Sequence, residues 1–356
     1  MRRKIAKSLV SLLVTLLALE GLLRLTDLDH KILGDPFKST NFMLNYLAID
    51  TFLQWRGRTG TRLLQPDEVI NTRGLRSPEI PRKKPPGVVR IAVLGDSCTF
   101  GFVTMGKLQF ETPRPYPALL QDILDRNIGP GRFQVINYGL IGYTSYHGLR
   151  MLRREVLADR PDFVVIRFGW NDLIGPQTNH SFKNVHNPWL ECLEDLASHS
   201  RLIELLLYRG SPLDLKRAVP FTVSAHPVPW VTPEEYAWNL GRMIDLARAH
   251  GAQPLLLDAP AAPITPEIRA NKAFIVATRY ETIEQYLAAH DRYQAITERV
   301  AREKGVPFLR TTPPPEEASQ DFSRHDIPHP TAAGHGRIAR ILYAEIASEV
   351  AQKYDR

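Results

Sequence analysis

The residues in this chain best suited to nucleophilic chemistry are Ser97, which ends the stretch RIAVLGDS, and the pair Asp326 and His329 in DIPHP. A serine hydroxyl is a weak nucleophile unless a base within hydrogen-bond reach takes its proton. His329 is the candidate base, and it would return that proton to the leaving group. In a turn, the Asp326-x-x-His329 spacing lets the carboxylate reach the near ring nitrogen, where it sets the tautomer and stabilises the imidazolium. Pro328 and Pro330 stiffen that turn. Two other readings stand beside this one. Ser97 can be an ordinary strand-end turn serine, and His325, Asp326 and His329 can be read as a metal cluster. The cluster lacks further ligands at zinc-like spacing, so no metal and no cofactor is expected.

The elements that would position these residues follow a regular alternation. VVRIAVL at 88–94 is a short apolar run bounded by Pro-Pro-Gly and Gly, as a buried strand would be. YPALLQDILDRN predicts an amphipathic helix with Leu119, Leu120, Ile123 and Leu124 on one face. RFQVINYGLIG reads as a second strand and turn, GLRMLRREVLADR as a second helix, and PDFVVIRFGWND as a third strand and turn. Residues 173–230, rich in Asn, His and Pro, break the rhythm as an insertion. Its His180 and His186 read as solvated. Thr232, Pro233 and Glu235 then form a capping signal for a helix that runs to His250 and closes at Gly251. QPLLL at 253–257 and VPFLR at 306–310 are the fourth and fifth strands, separated by a mixed helical stretch over 266–304. TAAGHGRIARILYAEIASEVAQ is the final helix. Strands alternating with helices predict an α/β fold with a parallel sheet covered on both faces. In such sheets the site lies at the carboxyl ends of the strands, where all of these turns fall.

GDS at 95–97, NYGLIGYTS at 137–145, GWND at 169–172 and DIPHP at 326–330 occur in order, each beside the expected element. Together they resemble the SGNH hydrolase superfamily, also called the GDSL esterases and lipases, over residues 88–350. The resemblance implies a three-layer, flavodoxin-like sandwich with a mostly parallel sheet of about five strands. It implies a catalytic triad of Ser97, Asp326 and His329. It also implies an oxyanion hole built from the Ser97 and Gly142 backbone N–H groups and the Asn171 side-chain amide. Gly139 is a rival for the Gly142 position, and Asp96 and Asp172 are expected to hold their turns. Cys98 departs from the leucine of the GDSL name and reads as a small packing residue. Arg167, inside an otherwise apolar strand, has no account at this level. A nucleophile elbow of the G-x-S-x-G type is excluded, because Thr99 stands where its second glycine would be. The reaction implied is ester hydrolysis through an acyl-enzyme. An O-acyltransferase using the same triad on an envelope polysaccharide is the alternative, and a non-catalytic envelope binding module is the third reading.

The chain has 356 residues and a formal net charge of +7, with two cysteines, Cys98 and Cys192. A core of this size needs no disulfide or metal staple. The sequence shows no zinc finger, RNA-binding signature or aromatic-interleaved basic run, so no nucleic-acid partner is expected. The expected partners are an acyl-ester substrate (glycan, lipid or small ester) and a membrane. MRRKIAK precedes an apolar run, and Ile5 to Leu25 has the length of a spanning helix with basic residues at its start. This predicts a signal anchor over 1–28 with the bulk of the chain extracytoplasmic, or secretion after signal cleavage as the alternative. A connecting region at 29–87 and a hydrolase domain at 88–352 complete the expected layout.

Overall fold

The computed structural model describes residues 2–26, 28, 45–50, 53–63, 68–105, 108–111, 114–174, 200–203, 205, 229–271 and 280–354. The chain divides into two compact units, Met1–Arg56 with Lys183–Val219, and Gly57–Phe182 with Pro220–Arg356. Most of the 173–230 insertion, including His180, His186 and Cys192, lies outside the described residues.

In the first unit, helix α1 (Arg2–Thr26) carries the apolar N-terminal run. Its stretch Lys7–Thr26 has a mean hydropathy of 1.9 and is long and apolar enough to cross a membrane. Leu9, Leu12, Leu13 and Leu17 are all exposed on it. Glu20, near the far end, accepts from Ser200 Oγ at 2.8 Å and from the Leu202 backbone N–H at 2.9 Å.

In the second unit, five strands form one sheet, β1 (Val89–Gly95), β2 (Phe133–Asn137), β3 (Phe163–Arg167), β4 (Gln253–Leu257) and β5 (Phe308–Leu309). The spatial order is β2-β1-β3-β4-β5, and every pairing is parallel. This is the doubly wound order whose switch point lies between β1 and its neighbour β3. Every residue of β1 and β3 is buried, because helices cover both faces and leave no reason for polar alternation. On one face, Val89, Ile91, Val93, Val135, Phe163 and Val165 pack with helices α2 (Tyr116–Asn127) and α6 (Ala332–Tyr354). On the other face lie Ala92, Leu94, Val164, Ile166 and Leu256, also buried. Helices α3 (Ser145–Met151), α4 (Pro233–Ala249) and α5 (Ile283–Lys304) pack in sequence, and the last two contact β4. The expected α/β sandwich with a five-stranded sheet is therefore borne out, and the sheet is wholly parallel.

Local differences have local causes. The helix expected over GLRMLRREVLADR begins earlier, at Ser145, where Thr144 and His147 form a capping box. It loosens at Leu152–Val156 into a π turn and ends in a 3₁₀ turn at Leu157–Asp159. The segment between β1 and α2 carries structure of its own. Ser97–Phe100 forms a single helical turn closed by Gly101 at φ +102, and a hairpin of Phe102–Met105 with Leu108–Glu111 intervenes. Among the described residues of the mixed stretch at 266–304 are the short helix Pro266–Ala270 and the long α5. The capping box of α4 forms as expected, with Thr232 Oγ1 accepting from Glu235 N–H and Glu235 Oε2 accepting from Thr232 N–H.

Candidate active site

The nucleophile turn is built around a backbone that has no room for side chains. A Cβ at Gly95 would lie 1.9 Å from Thr99 Oγ1, so β1 ends in glycine to let the turn fold back on it. Asp96 caps the turn, accepting from the Cys98 N–H at 2.9 Å through its side chain and from the Thr99 and Phe100 N–H groups through its carbonyl. Thr99 is pinned in turn by Tyr116 Oη at 2.8 Å and by Asn137, whose amide donates to the Thr99 carbonyl at 3.0 Å. Ser97 is left half-buried between these anchors, while its neighbours Asp96 and Cys98 are buried.

Ser97 Oγ lies 2.8 Å from His329 Nε2, and His329 Nδ1 lies 2.5 Å from Asp326 Oδ2. In the tautomer that donates Nδ1–H to the carboxylate, Nε2 accepts the serine proton. Burial pulls the His329 pKa down, but the charge and hydrogen bond of Asp326, together with Asp96, more than offset it and leave it above the ordinary 6.5. The loop that presents the pair is tied down on two sides. The Ala262 N–H donates to the Ile327 carbonyl at 2.9 Å, and the Cys98 thiol donates to the Pro328 carbonyl at 3.1 Å. Burial pushes the Cys98 thiol well above its usual range, which makes it a tether and a poor nucleophile. His325 stands outside this line, and among the described residues no group of three or more His, Cys, Asp or Glu side chains is arranged to hold a metal ion.

The turn after β2 separates the two rival glycines. A Cβ at Gly139 would lie 2.5 Å from the Phe100 nitrogen, and the Gly139 N–H is already taken by Asn137 Oδ1 at 2.9 Å. Gly139 therefore serves the close approach of this turn to the nucleophile turn. Gly142 has φ +77, and its N–H, like that of Ser97, meets no partner among the described residues. Asn171, partly exposed after β3, donates one amide hydrogen to the Tyr143 carbonyl at 3.0 Å. That bond holds the side chain beside the Tyr143–Thr144 peptide, one residue past Gly142, and leaves its second amide hydrogen to donate elsewhere.

Asp172 reaches further than a local turn residue. It accepts from the Gly169 N–H at 3.2 Å, and also from the Ser145 N–H at 2.9 Å and the Ser145 hydroxyl at 2.6 Å. It thus ties the turns after β2 and β3 together at the start of α3. Burial pushes its pKa up to about 7, against the pull of the Ser145 hydrogen bonds. The residues that sequence reasoning passed over are these braces, Asn137, Ser145 and Tyr116, each acting across the chain. Asn137 carried a readable signal, an Asn two residues before a glycine at a strand end. Arg167 was visible as an anomaly, and the structure places it beneath the nucleophile turn, 3.8 Å from Asp96.

A family model, the GDSL-like Lipase/Acylhydrolase family, matches residues 93–337. Among solved structures, the chain is similar to a lipase/acylhydrolase from Enterococcus faecalis, with 17% identity, 74% of this chain and 97% of that chain covered, and a TM-score of 0.45. It is similar to a catalytic mutant of an acetylxylan esterase from Geobacillus stearothermophilus, with 18% identity, coverage of 74% and 96%, and a TM-score of 0.44. It is also similar to a GDSL-like lipase from Bacteroides thetaiotaomicron, with 15% identity, coverage of 73% and 88%, and a TM-score of 0.41. No curated protein sequence matches the chain.

Proposed function

The chain belongs to the GDSL-like lipase/acylhydrolase family and is an ester hydrolase, and from that premise we propose that Ser97 carries the acyl group during turnover on an ester of an envelope glycan, a lipid or a small molecule. The observation that supports this most directly is the hydrogen-bonded line from Ser97 Oγ through His329 to Asp326, at 2.8 and 2.5 Å. His329 takes the hydroxyl proton as Ser97 attacks the ester carbonyl, and the imidazolium is stabilised by Asp326. The carbonyl oxygen becomes an oxyanion that accepts from the Ser97 and Gly142 N–H groups and from the Asn171 amide. As the intermediate collapses, His329 gives its proton to the leaving alkoxide, and the acyl group stays on Ser97. Water, deprotonated by His329, then attacks the acyl-enzyme and regenerates the serine. The chemistry sets no acyl length, and the envelope substrate rests on α1, whose exposed leucines suit it to a bilayer.

The test is hydrolysis of p-nitrophenyl acetate and longer p-nitrophenyl esters by the full chain in detergent, with a glycan acceptor added in parallel. Release that depends on Ser97 and yields free acid is the expected result. Release that survives Ser97→Ala overturns the acyl-enzyme on that residue, and acyl transfer to the glycan in place of free acid moves the reading to an O-acyltransferase. Asn171→Ala is expected to lower kcat by about 10²–10³-fold with little change in KM, because the lost donor acts on charge that develops only in the transition state. Unchanged turnover would remove Asn171 from the oxyanion hole.

The same reading places the basic end of α1 in the cytoplasm and the catalytic unit outside, tethered by Lys7–Thr26. Full-length protein is expected to stay in the membrane fraction through an alkaline carbonate wash. Recovery in the wash supernatant would point to a cleaved signal or a peripheral helix.

A further inference from the structure

Two arginines are fully buried in the sheet, and they are bonded in opposite ways. Arg90, in β1, spends its guanidinium on Gln134 Oε1 and on the carbonyls of Pro81, Arg82 and Asp159. Arg167, the last residue of β3, finds no hydrogen-bond partner for Nε, Nη1 or Nη2 among the described residues. What lies against it is the Cys98 thiol, a weak partner at best, and a carboxylate, Asp96, at 3.8 Å. Burying a cation without hydrogen bonds is penalised heavily, and an apolar side chain of similar length would fill the space without that penalty. A hydrogen-bonding role suits Arg90. At Arg167 the charge is what remains to be explained.

Arg167 shares a strand face with Phe163 and Val165, the face that packs against α2 and α6. The titratable groups that feel it are Asp96 and Cys98 on the nucleophile turn, Tyr116 at the start of α2, His335 on α6, His329, His290 on α5 and Tyr236 on α4. Burial holds Cys98, Tyr116 and Tyr236 protonated and drives His290 and His335 down to about 3, so none of these five is charged near neutrality. The charges that act on His329 are the carboxylates of Asp326 and Asp96 and the guanidinium of Arg167. Two carboxylates around one imidazole favour the imidazolium, which cannot take a proton from serine.

We infer, on the reading of His329 as the general base, that Arg167 is a positioning residue whose buried charge pairs with Asp96 and limits how far the two carboxylates favour the imidazolium. It touches neither substrate nor the reacting atoms, and it acts through Asp96 and His329. The proposal predicts a shift in pH dependence that a merely structural role would not produce.

The experiment is the rate at which a fluorophosphonate labels the full chain in detergent, measured across the acid limb of its pH profile. In Arg167→Met the limb is expected to move to higher pH, so that labelling slows severalfold on the limb and little on the plateau. Arg167→Lys, which keeps the charge, is expected to hold the limb at its wild-type position. Asp96→Asn, which removes a carboxylate from around His329, is expected to move it to lower pH. A folded Arg167→Met protein with an unmoved limb overturns the inference, as does Arg167→Lys behaving like Arg167→Met. Where Arg167→Met fails to fold, the Asp96→Asn profile decides, and a limb that stays or rises overturns the inference. Wild-type protein that is not labelled at Ser97 overturns the serine chemistry itself. That outcome is distinct from a labelled wild type whose limb ignores Arg167.

Discussion

Ser97→Ala is expected to lower kcat on p-nitrophenyl acetate by on the order of 10⁵–10⁶-fold while the melting transition stays close to that of the wild type. The size of the loss follows from the way the site works as a unit. Without Oγ there is no atom to carry the acyl group, and His329 and Asp326 have nothing to deprotonate. What persists is the background from the oxyanion donors and substrate binding, which in serine hydrolases of this logic is about 10³–10⁴ over water. Stability is expected to change little, because Ser97 is half-buried and its turn is held by other groups. Those groups are Asp96 as cap, the Gly101 N–H on the Ser97 carbonyl at 2.9 Å, and Thr99 against Tyr116. Paired kinetics and far-UV melting of the two proteins test this. A loss below tenfold with the fold intact would place the nucleophile elsewhere.

Asp326→Asn is the second large effect, with an expected fall in kcat/KM of about 10⁴-fold. The substitution keeps the size of the side chain and reverses its hydrogen bond. The carboxylate at 2.5 Å from Nδ1 can only accept, so it holds the proton on Nδ1 and leaves Nε2 bare toward Ser97. An amide NH₂ in its place donates to Nδ1 and stabilises the opposite tautomer, with Nε2–H pointing at the serine and unable to take its proton. The pH profile carries a second signature. Asp326 raises the His329 pKa above 6.5 through its charge and hydrogen bond, against the effect of burial. Activity that needs neutral imidazole therefore falls as pH drops through that raised value. Removing the carboxylate favours the neutral ring, so the residual activity of Asp326→Asn should persist to lower pH than that of the wild type. A profile whose acid limb does not move would mean that the titrating base is not His329.

The sequence by itself determined the parts of this protein that are written in contiguous residues. The apolar run before Gly95, the amphipathic spacing of α2, the capping box of α4 and the long final helix all come from local periodicity, and each stands where that pattern puts it. The Asp326-x-x-His329 spacing was equally readable, because a three-residue turn has few ways to place two side chains. The hairpin before α2 and the π turn after α3 were not readable. Their residues carry no strong period, and the surrounding packing selects the backbone.

What only the tertiary structure decided is how distant segments meet. Ser97 and His329 are 232 positions apart, Asp172 and Ser145 are 27 apart, and no local pattern encodes either pairing. The different surroundings of Gly139 and Gly142 also appear only in three dimensions. Gly139 is consumed by contact with the nucleophile turn and by Asn137, whereas the Gly142 N–H is left without a partner among the described residues. Arg167 is the clearest case. In the sequence it is a misplaced charge in a buried strand, and its meaning appears only when the parallel register sets it opposite Gly95, one residue from the Asp96 carboxylate it faces. Local sequence sets which conformations a segment prefers. Which charges and hydrogen-bond donors end up within a few ångströms of one another is set by the closure of the whole sheet and its helices, because electrostatic and hydrogen-bond energies depend on distance in space and not along the chain.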